Sequence, residues 1–129
     1  QILASARALL FPVRWHEPFG IAITEALASG CPVLGTPYGS LPEIVSPDVG
    51  VLSNQGSVLA QAALECEKFT PEQCRARITK GFSVSQMTDE YLLIYRKLLT
   101  DGRLGPADEP APFTKPGFAS EELLDWTNP

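Results

Sequence analysis

Two glutamates, Glu17 and Glu25, stand eight positions apart with a Phe19-Gly20-Ile21 turn between them. An ionised carboxylate only accepts hydrogen bonds, so a pair facing one pocket suits a ligand rich in hydroxyl donors and suits a diphosphate badly. The residues between the two acids supply the complement. Gly20 lets backbone approach a ligand closely, and the amides of Gly20, Ile21 and Ala22 at a helix start favour a negatively charged oxygen. The chemistry implied is sugar or ribose recognition by the acids, beside an anion or hydroxyl held by backbone. His16, directly before Glu17, either reaches a phosphate or packs beside Trp15. Thr24 reads as structural, and Glu43 as a residue that caps a backbone turn.

These residues need a strand on one side and a helix on the other. Ala8 to Val13 is a short, nearly continuous apolar run, as expected of a strand buried on both faces of a parallel sheet, and Pro12 marks its end. From Ile21, the residues Ile23, Ala26, Leu27 and Gly30 recur at helical spacing, and Gly30 before Cys31-Pro32 is a stop signal. Glu25 then lies about one turn into the helix, on the side of Ile21 and away from the packing stripe. Pro32 to Thr36 reads as the next buried strand, which makes a right-handed βαβ unit and puts the Glu17 loop at the carboxyl edge of the sheet, where such folds bind ligands. Gly50 to Leu52 is a brief third strand. Ser57 to Phe69 is a helix with Ser57 as its N-cap and Val58, Leu59, Ala62, Ala63 and Cys66 on its apolar face. Thr70-Pro71-Glu72-Gln73 opens another helix, reaching about Lys80. A last helix runs from Ser83 or Ser85 to Leu99, with Val84, Met87, Tyr91, Ile94, Tyr95 and Leu98 in one stripe read as core.

The chain divides at about residue 100. Residues 1–100 form the α/β domain. Residues 101–129 form a proline-rich acidic linker and tail, with five of the twelve prolines beyond Leu99 and a short docking helix expected over 120–126. Most of the net charge of -5 sits there, since Asp101, Asp108, Glu109, Glu121, Glu122 and Asp125 face only Arg103 and Lys115 after Leu99. A near-neutral body with an acidic tail offers no cationic stripe, which argues against a nucleic-acid partner. Cys31, Cys66 and Cys74 lack the paired spacings of a zinc site and read as reduced, buried thiols, so no metal is expected. No apolar run is long enough to span a bilayer, and the expected setting is cytoplasmic. The start at Gln1 reads as cut.

The stretch Glu-Pro-Phe-Gly-Ile-Ala-Ile-Thr-Glu-Ala-Leu-Ala-Ser-Gly-Cys-Pro-Val, from Glu17 to Val33, resembles the signature of the retaining GT-B glycosyltransferases, glycosyl transferases group 1. Gly39 to Val45 is similar to that family's next loop, and Phe82 to Leu99 to its closing helices. The resemblance covers about Leu3 to Leu99. It implies a Rossmann-like, three-layer α/β/α fold with a parallel sheet, forming part of the C-terminal half of a two-domain enzyme that transfers a sugar with retention of anomeric configuration. Glu25 would hold ribose hydroxyls of a nucleotide-diphospho-sugar donor, and Glu17 would be the catalytic residue, facing the sugar ring beside an oxocarbenium-like centre stabilised electrostatically. Phe19, Gly20, Ile21 and His16 would line the donor site. The family needs no cofactor beyond the donor substrate. The partners implied are an N-terminal GT-B domain, in cis or as a separate chain, and an acceptor whose determinants fall outside these residues. Peripheral membrane association is likewise left to parts outside the chain. Where the family often carries two glycines this sequence has Gly39-Ser40, which bears on the turn there.

The family's preceding strands, with the Gly-Arg and Lys that neutralise a diphosphate, have no counterpart here, so the chain alone is expected not to turn over. Arg14 and His16 are too few cations for that task. The competing reading is a non-catalytic nucleotide-sugar-binding or interaction module that keeps the fold. A phosphorylase would need a lysine placed for pyridoxal phosphate, and none is so placed.

Overall fold

The computed structural model of the chain describes residues 2–102. The expected linker beyond residue 102 and the expected helix over 120–126 lie outside them. A single turn of helix, α1 (Ile2–Ser5), leads into β1 (Leu9–Phe11). The chain continues through α2 (Ile21–Ala28), β2 (Val33–Gly35), α3 (Leu41–Ile44) and β3 (Gly50–Leu52). It closes with α4 (Gly56–Leu64), a short 3-10 turn (Cys66–Lys68), α5 (Pro71–Gly81) and α6 (Val84–Asp101).

The three strands form a parallel sheet in the order β1-β2-β3, with Leu9 opposite Val33 and Val33 opposite Gly50. β2 is buried throughout because both faces are covered. On one face Val33 joins Ile23, Ala26 and Leu27 of α2, Leu41 and Ile44 of α3, and Cys74 of α5. On the other, Leu34 meets Leu59 and Ala62 of α4, then Cys66 and Phe69. Helix, sheet and helix therefore make the three-layer α/β/α arrangement expected from the sequence. β1 departs from its expected burial on both faces: Leu10 is 59% exposed, because among the described residues β1 has a strand neighbour on one side only.

α2 ends where the sequence predicts. The Cys31 amide bonds the Ala26 carbonyl at 2.9 Å and the Gly30 amide bonds that of Leu27 at 2.9 Å, the paired closure that satisfies the last turn of a helix. α5 begins with the full reciprocal cap: the Thr70 hydroxyl accepts from the Gln73 amide at 3.2 Å, and the Gln73 side chain accepts from the Thr70 amide at 3.0 Å. Since α5 packs on α2, Thr70→Ala is expected to lower stability by about 1 kcal/mol, read as a drop in the denaturation midpoint.

Two helix expectations need correction. α4 starts at Gly56 with Gln55 as its N-cap, so Ser57 lies inside the first turn and caps nothing. It is Ser53 whose hydroxyl accepts the Gln55 amide, at 3.0 Å, and the helix starts two residues earlier than expected. With that start, and with the shift to a 3-10 turn after Leu64, Val58 and Ala63 point outward while Phe69 turns in. The second correction concerns α6. Ser83 caps it, accepting the Gln86 amide at 3.2 Å, but its stripe of Val84, Met87, Tyr91, Ile94, Tyr95 and Leu98 is exposed and not core. Periodicity records that a face is meant to be covered, and nothing among the described residues covers this one.

The three cysteines are free and buried, as expected. Burial pushes the Cys74 thiol up to about 11 and raises that of Cys31, so both stay protonated at neutral pH.

Candidate active site

The site forms where two loops meet at the carboxyl end of the sheet. β1 runs out through Val13, β2 through Thr36, and the two ends are tied by the buried Thr36 hydroxyl, which donates to the Val13 carbonyl at 2.5 Å. Thr36 is the polar residue closing an apolar strand, the one signal the sequence offered for this tie. Beyond it the loops stay in contact. The Ser40 amide donates to the Glu17 carbonyl at 2.9 Å, and the Ser40 hydroxyl donates to the Phe19 carbonyl at 2.9 Å. Gly39 has φ +64, and a Cβ on it would stand 2.2 Å from the Glu17 carbonyl oxygen, so only glycine allows this approach. Ser40 itself takes ordinary right-handed backbone, φ -78, and needs no second glycine. The departure from the two-glycine pattern thus keeps the turn and adds a hydrogen bond.

Within the Glu17 loop, one carboxylate oxygen accepts the Trp15 indole N–H at 3.1 Å and the other accepts the Gly20 amide at 3.1 Å. The second bond corrects the expectation for the helix start, because the Gly20 amide is already used. Among the described residues the amides of Ile21 and Ala22 have no hydrogen-bond partner, since the first bonds of α2 are those from Ile23 and Thr24 to the Gly20 carbonyl. Gly20 reaches the N-cap position with φ 81. Glu17 therefore shapes the turn with its carboxylate, and each oxygen retains a lone pair.

Glu25 lies one turn after Ile21 on the outer face of α2, opposite the buried Ile23, Ala26 and Leu27. No hydrogen bond or ion pair engages its carboxylate among the described residues. Thr24 is structural as expected, its hydroxyl donating to the Ile21 carbonyl at 2.8 Å. The His16 side chain is exposed, and its ring meets Tyr38 edge-on, with centroids 5.9 Å apart. Glu43 stands in the first turn of α3 with its side chain exposed. Trp15, Phe19 and Ile21 are all exposed around this loop, an apolar rim beside the start of α2. Among the described residues no group of three or more His, Cys, Asp or Glu is placed to hold a metal ion.

Sequence reasoning missed Ser40, Thr36 and Asn54. The Asn54 Oδ1 is buried just after β3, at the same edge of the sheet, with no hydrogen-bond partner among the described residues.

The family profile described as glycosyl transferases group 1 matches residues 1–77. The chain belongs to that family. It is 30% identical over 114 residues to N-acetyl-alpha-D-glucosaminyl L-malate synthase of Bacillus anthracis, a match covering 81% of this chain and 30% of that protein. It is also 30% identical over 104 residues to O-antigen chain mannosyltransferase B of Escherichia coli, covering 75% of this chain and 27% of that one. Among solved structures, AviGT4, a glycosyltransferase involved in avilamycin A biosynthesis, superposes with a TM-score of 0.66 at 29% identity, over 78% of this chain and 33% of its own. The fold is accordingly that of a GT-B glycosyltransferase, and this member of the glycosyl transferases group 1 spans about a third or less of these relatives' lengths. No helix among its described residues is long and apolar enough to cross a membrane.

Proposed function

We propose that this chain binds a nucleotide-diphospho-sugar donor at the junction of the Glu17 loop and α2. Together with an N-terminal GT-B domain, in cis or as a separate chain, it transfers that sugar to an acceptor with retention of anomeric configuration. The observation that carries the reading is the pairing of an unengaged Glu25 carboxylate with the free Ile21 amide on one exposed helix face, one turn apart. Glu25 accepts from the two ribose hydroxyls, and the amides of Ile21 and Ala22 receive a donor oxygen. Glu17 faces the sugar. Its two local hydrogen bonds fit a fixed charge beside an oxocarbenium-like centre better than a mobile nucleophile.

Retention follows if leaving group and acceptor use the same face of the sugar, with Glu17 stabilising the charge between them. The cations that offset a diphosphate come from the N-terminal side, since Arg14 and His16 are the only basic side chains adjoining the loop in sequence. That domain also covers the apolar face of α6, and this chain alone is inactive. The setting is cytoplasmic, where nucleotide-sugar donors are made.

Glu25→Ala in the longer protein is expected to raise the donor KM by roughly tenfold to a hundredfold, the loss of hydrogen bonds to a charged acceptor, with a smaller change in kcat. Initial rates against donor concentration, followed by release of the nucleoside diphosphate, test this. Unchanged donor saturation would remove the site assignment. Nucleoside diphosphate binding with no sugar transfer in the intact protein would instead identify a binding module.

A further inference from the structure

A closed circuit of contacts joins the Glu17 loop to the root of α6. Ser40 holds the loop by its amide and hydroxyl, and its own carbonyl accepts the Glu43 amide at 3.0 Å and the Ile44 amide at 3.2 Å, so it is continuous with α3. The far end of α3 is gripped by Arg77 of α5, whose Nε donates to the Ile44 carbonyl at 2.9 Å and whose terminal nitrogen donates to the Glu43 carbonyl. The same guanidinium stands 5.1 Å from the centre of the Phe82 ring. Phe82 caps α5, its amide bonding the Ile78 carbonyl at 2.8 Å, and the next residue, Ser83, caps α6. The circuit closes when Phe82 meets Phe19, ring centroids 6.4 Å apart and tilted by 57°.

Each link fixes the next. Arg77 sets the height of the Phe82 ring by holding two carbonyls that cannot move without unwinding α3. Phe82 then supports Phe19, which is 46% exposed and has an aromatic neighbour on this side alone among the described residues. The Phe19 carbonyl is pinned by Ser40, so the backbone from Glu17 to Ile21 is braced from both directions. We infer that Phe82 is a positioning residue for the donor turn, transmitting the placement of the α5–α6 junction to the Phe19-Gly20-Ile21 backbone. The inference rests on the donor-site reading above. It adds that whatever seats α6 also sets how well the turn is formed.

Because the brace shapes a binding surface present before any bond breaks, its loss falls on KM more than on kcat. In the longer protein, Phe82→Leu is expected to raise the donor KM by about threefold to tenfold, the worth of an aromatic pair, with kcat within about twofold. Phe82→Tyr keeps the ring and is expected to restore the wild-type KM. The combination of Phe19→Leu with Phe82→Leu should do no more than Phe19→Leu alone, since Phe82 acts on the turn only through the contact that Phe19→Leu already breaks. Arg77→Met, which keeps the Phe82 side chain but removes the guanidinium that fixes its ring, should raise KM in the same direction and provides the measurement if Phe82→Leu does not fold. An unchanged KM in Phe82→Leu, multiplicative effects in the double variant, or a Phe82→Tyr as impaired as Phe82→Leu would each overturn the brace. If Arg77→Met is the arm measured, an unchanged KM there overturns it too. Glu25→Ala separates the two ideas: a raised KM in Glu25→Ala with none in Phe82→Leu defeats the brace alone, and an unchanged KM in Glu25→Ala defeats the donor site itself.

Discussion

Glu17→Gln in the longer protein is expected to slow sugar transfer by roughly a hundredfold while changing donor affinity far less, because the substitution removes a charge and preserves the shape. Glu17 uses its two oxygens for the Trp15 indole and the Gly20 amide, both donors. Glutamine offers one acceptor oxygen and one donor amide, so it keeps the bond that shapes the turn, to Gly20, and gives up the one to Trp15. The turn survives and its negative charge does not. Single-turnover rates report the loss at the chemical step, and equilibrium titration with the donor reports what remains of binding. The indole, released from its partner, should shift its fluorescence and so certify that the substitution acted where intended. A transfer rate close to wild type, with the fluorescence shifted, would mean that Glu17 is a scaffold for the loop and that charge at this place does not matter.

The second large effect is mechanical. Gly39→Ala is expected to destabilise the protein by roughly 3 kcal/mol and to abolish saturable donor binding. A side chain at φ +64 costs about 1–2 kcal/mol by itself. The added carbon would also lie 2.2 Å from the Glu17 carbonyl oxygen and 2.4 Å from its amide nitrogen, which are backbone and cannot swing away. Relief requires the two loops to separate, and separation breaks both Ser40 hydrogen bonds. Gly81→Ala is the matched control, since a carbon there meets nothing within 4 Å at the end of α5. Midpoints of chemical denaturation for the two variants should differ widely, with Gly81→Ala near wild type. Equal midpoints would show that the loops do not need their close approach.

Local signals carried much of this fold in the sequence. β3 falls on Gly50 to Leu52 as expected, α2 stops at its Gly-Cys-Pro signal, and α5 opens on the cap written by Thr70-Pro71-Glu72-Gln73. Each is decided by residues within one turn of one another. The readings that failed are those that depend on distant partners. Ser57 reads as a cap, but Ser53, on the exit from β3, turns the chain two residues sooner. β1 has the composition of a central strand and α6 that of a core helix, and both are bare on a side that the described residues do not fill.

The candidate site divides in the same way. Glu17, Glu25 and the Phe-Gly-Ile turn were legible because their types and spacing sit in one continuous stretch. The use of the Gly20 amide by Glu17 was not, since a glycine's amide gives no hint of its acceptor. Ser40 and Phe82 act on the turn from 21 and 63 residues beyond Phe19, and no periodicity links such positions. Their roles exist only once the α5–α6 junction and the loop after β2 are folded against it.

The buried thiols have a use of their own as reporters. Cys74 of α5 and Cys31 at the end of α2 sit at the seam between these helices, shielded from reagent and held protonated well above neutrality. Alkylation at either must wait for α5 to lift from α2. Its rate therefore counts openings of the α2–α5 seam on one face of the sheet, and a donor bound at the N-terminus of α2 should slow that count in proportion to how firmly it holds that helix in place.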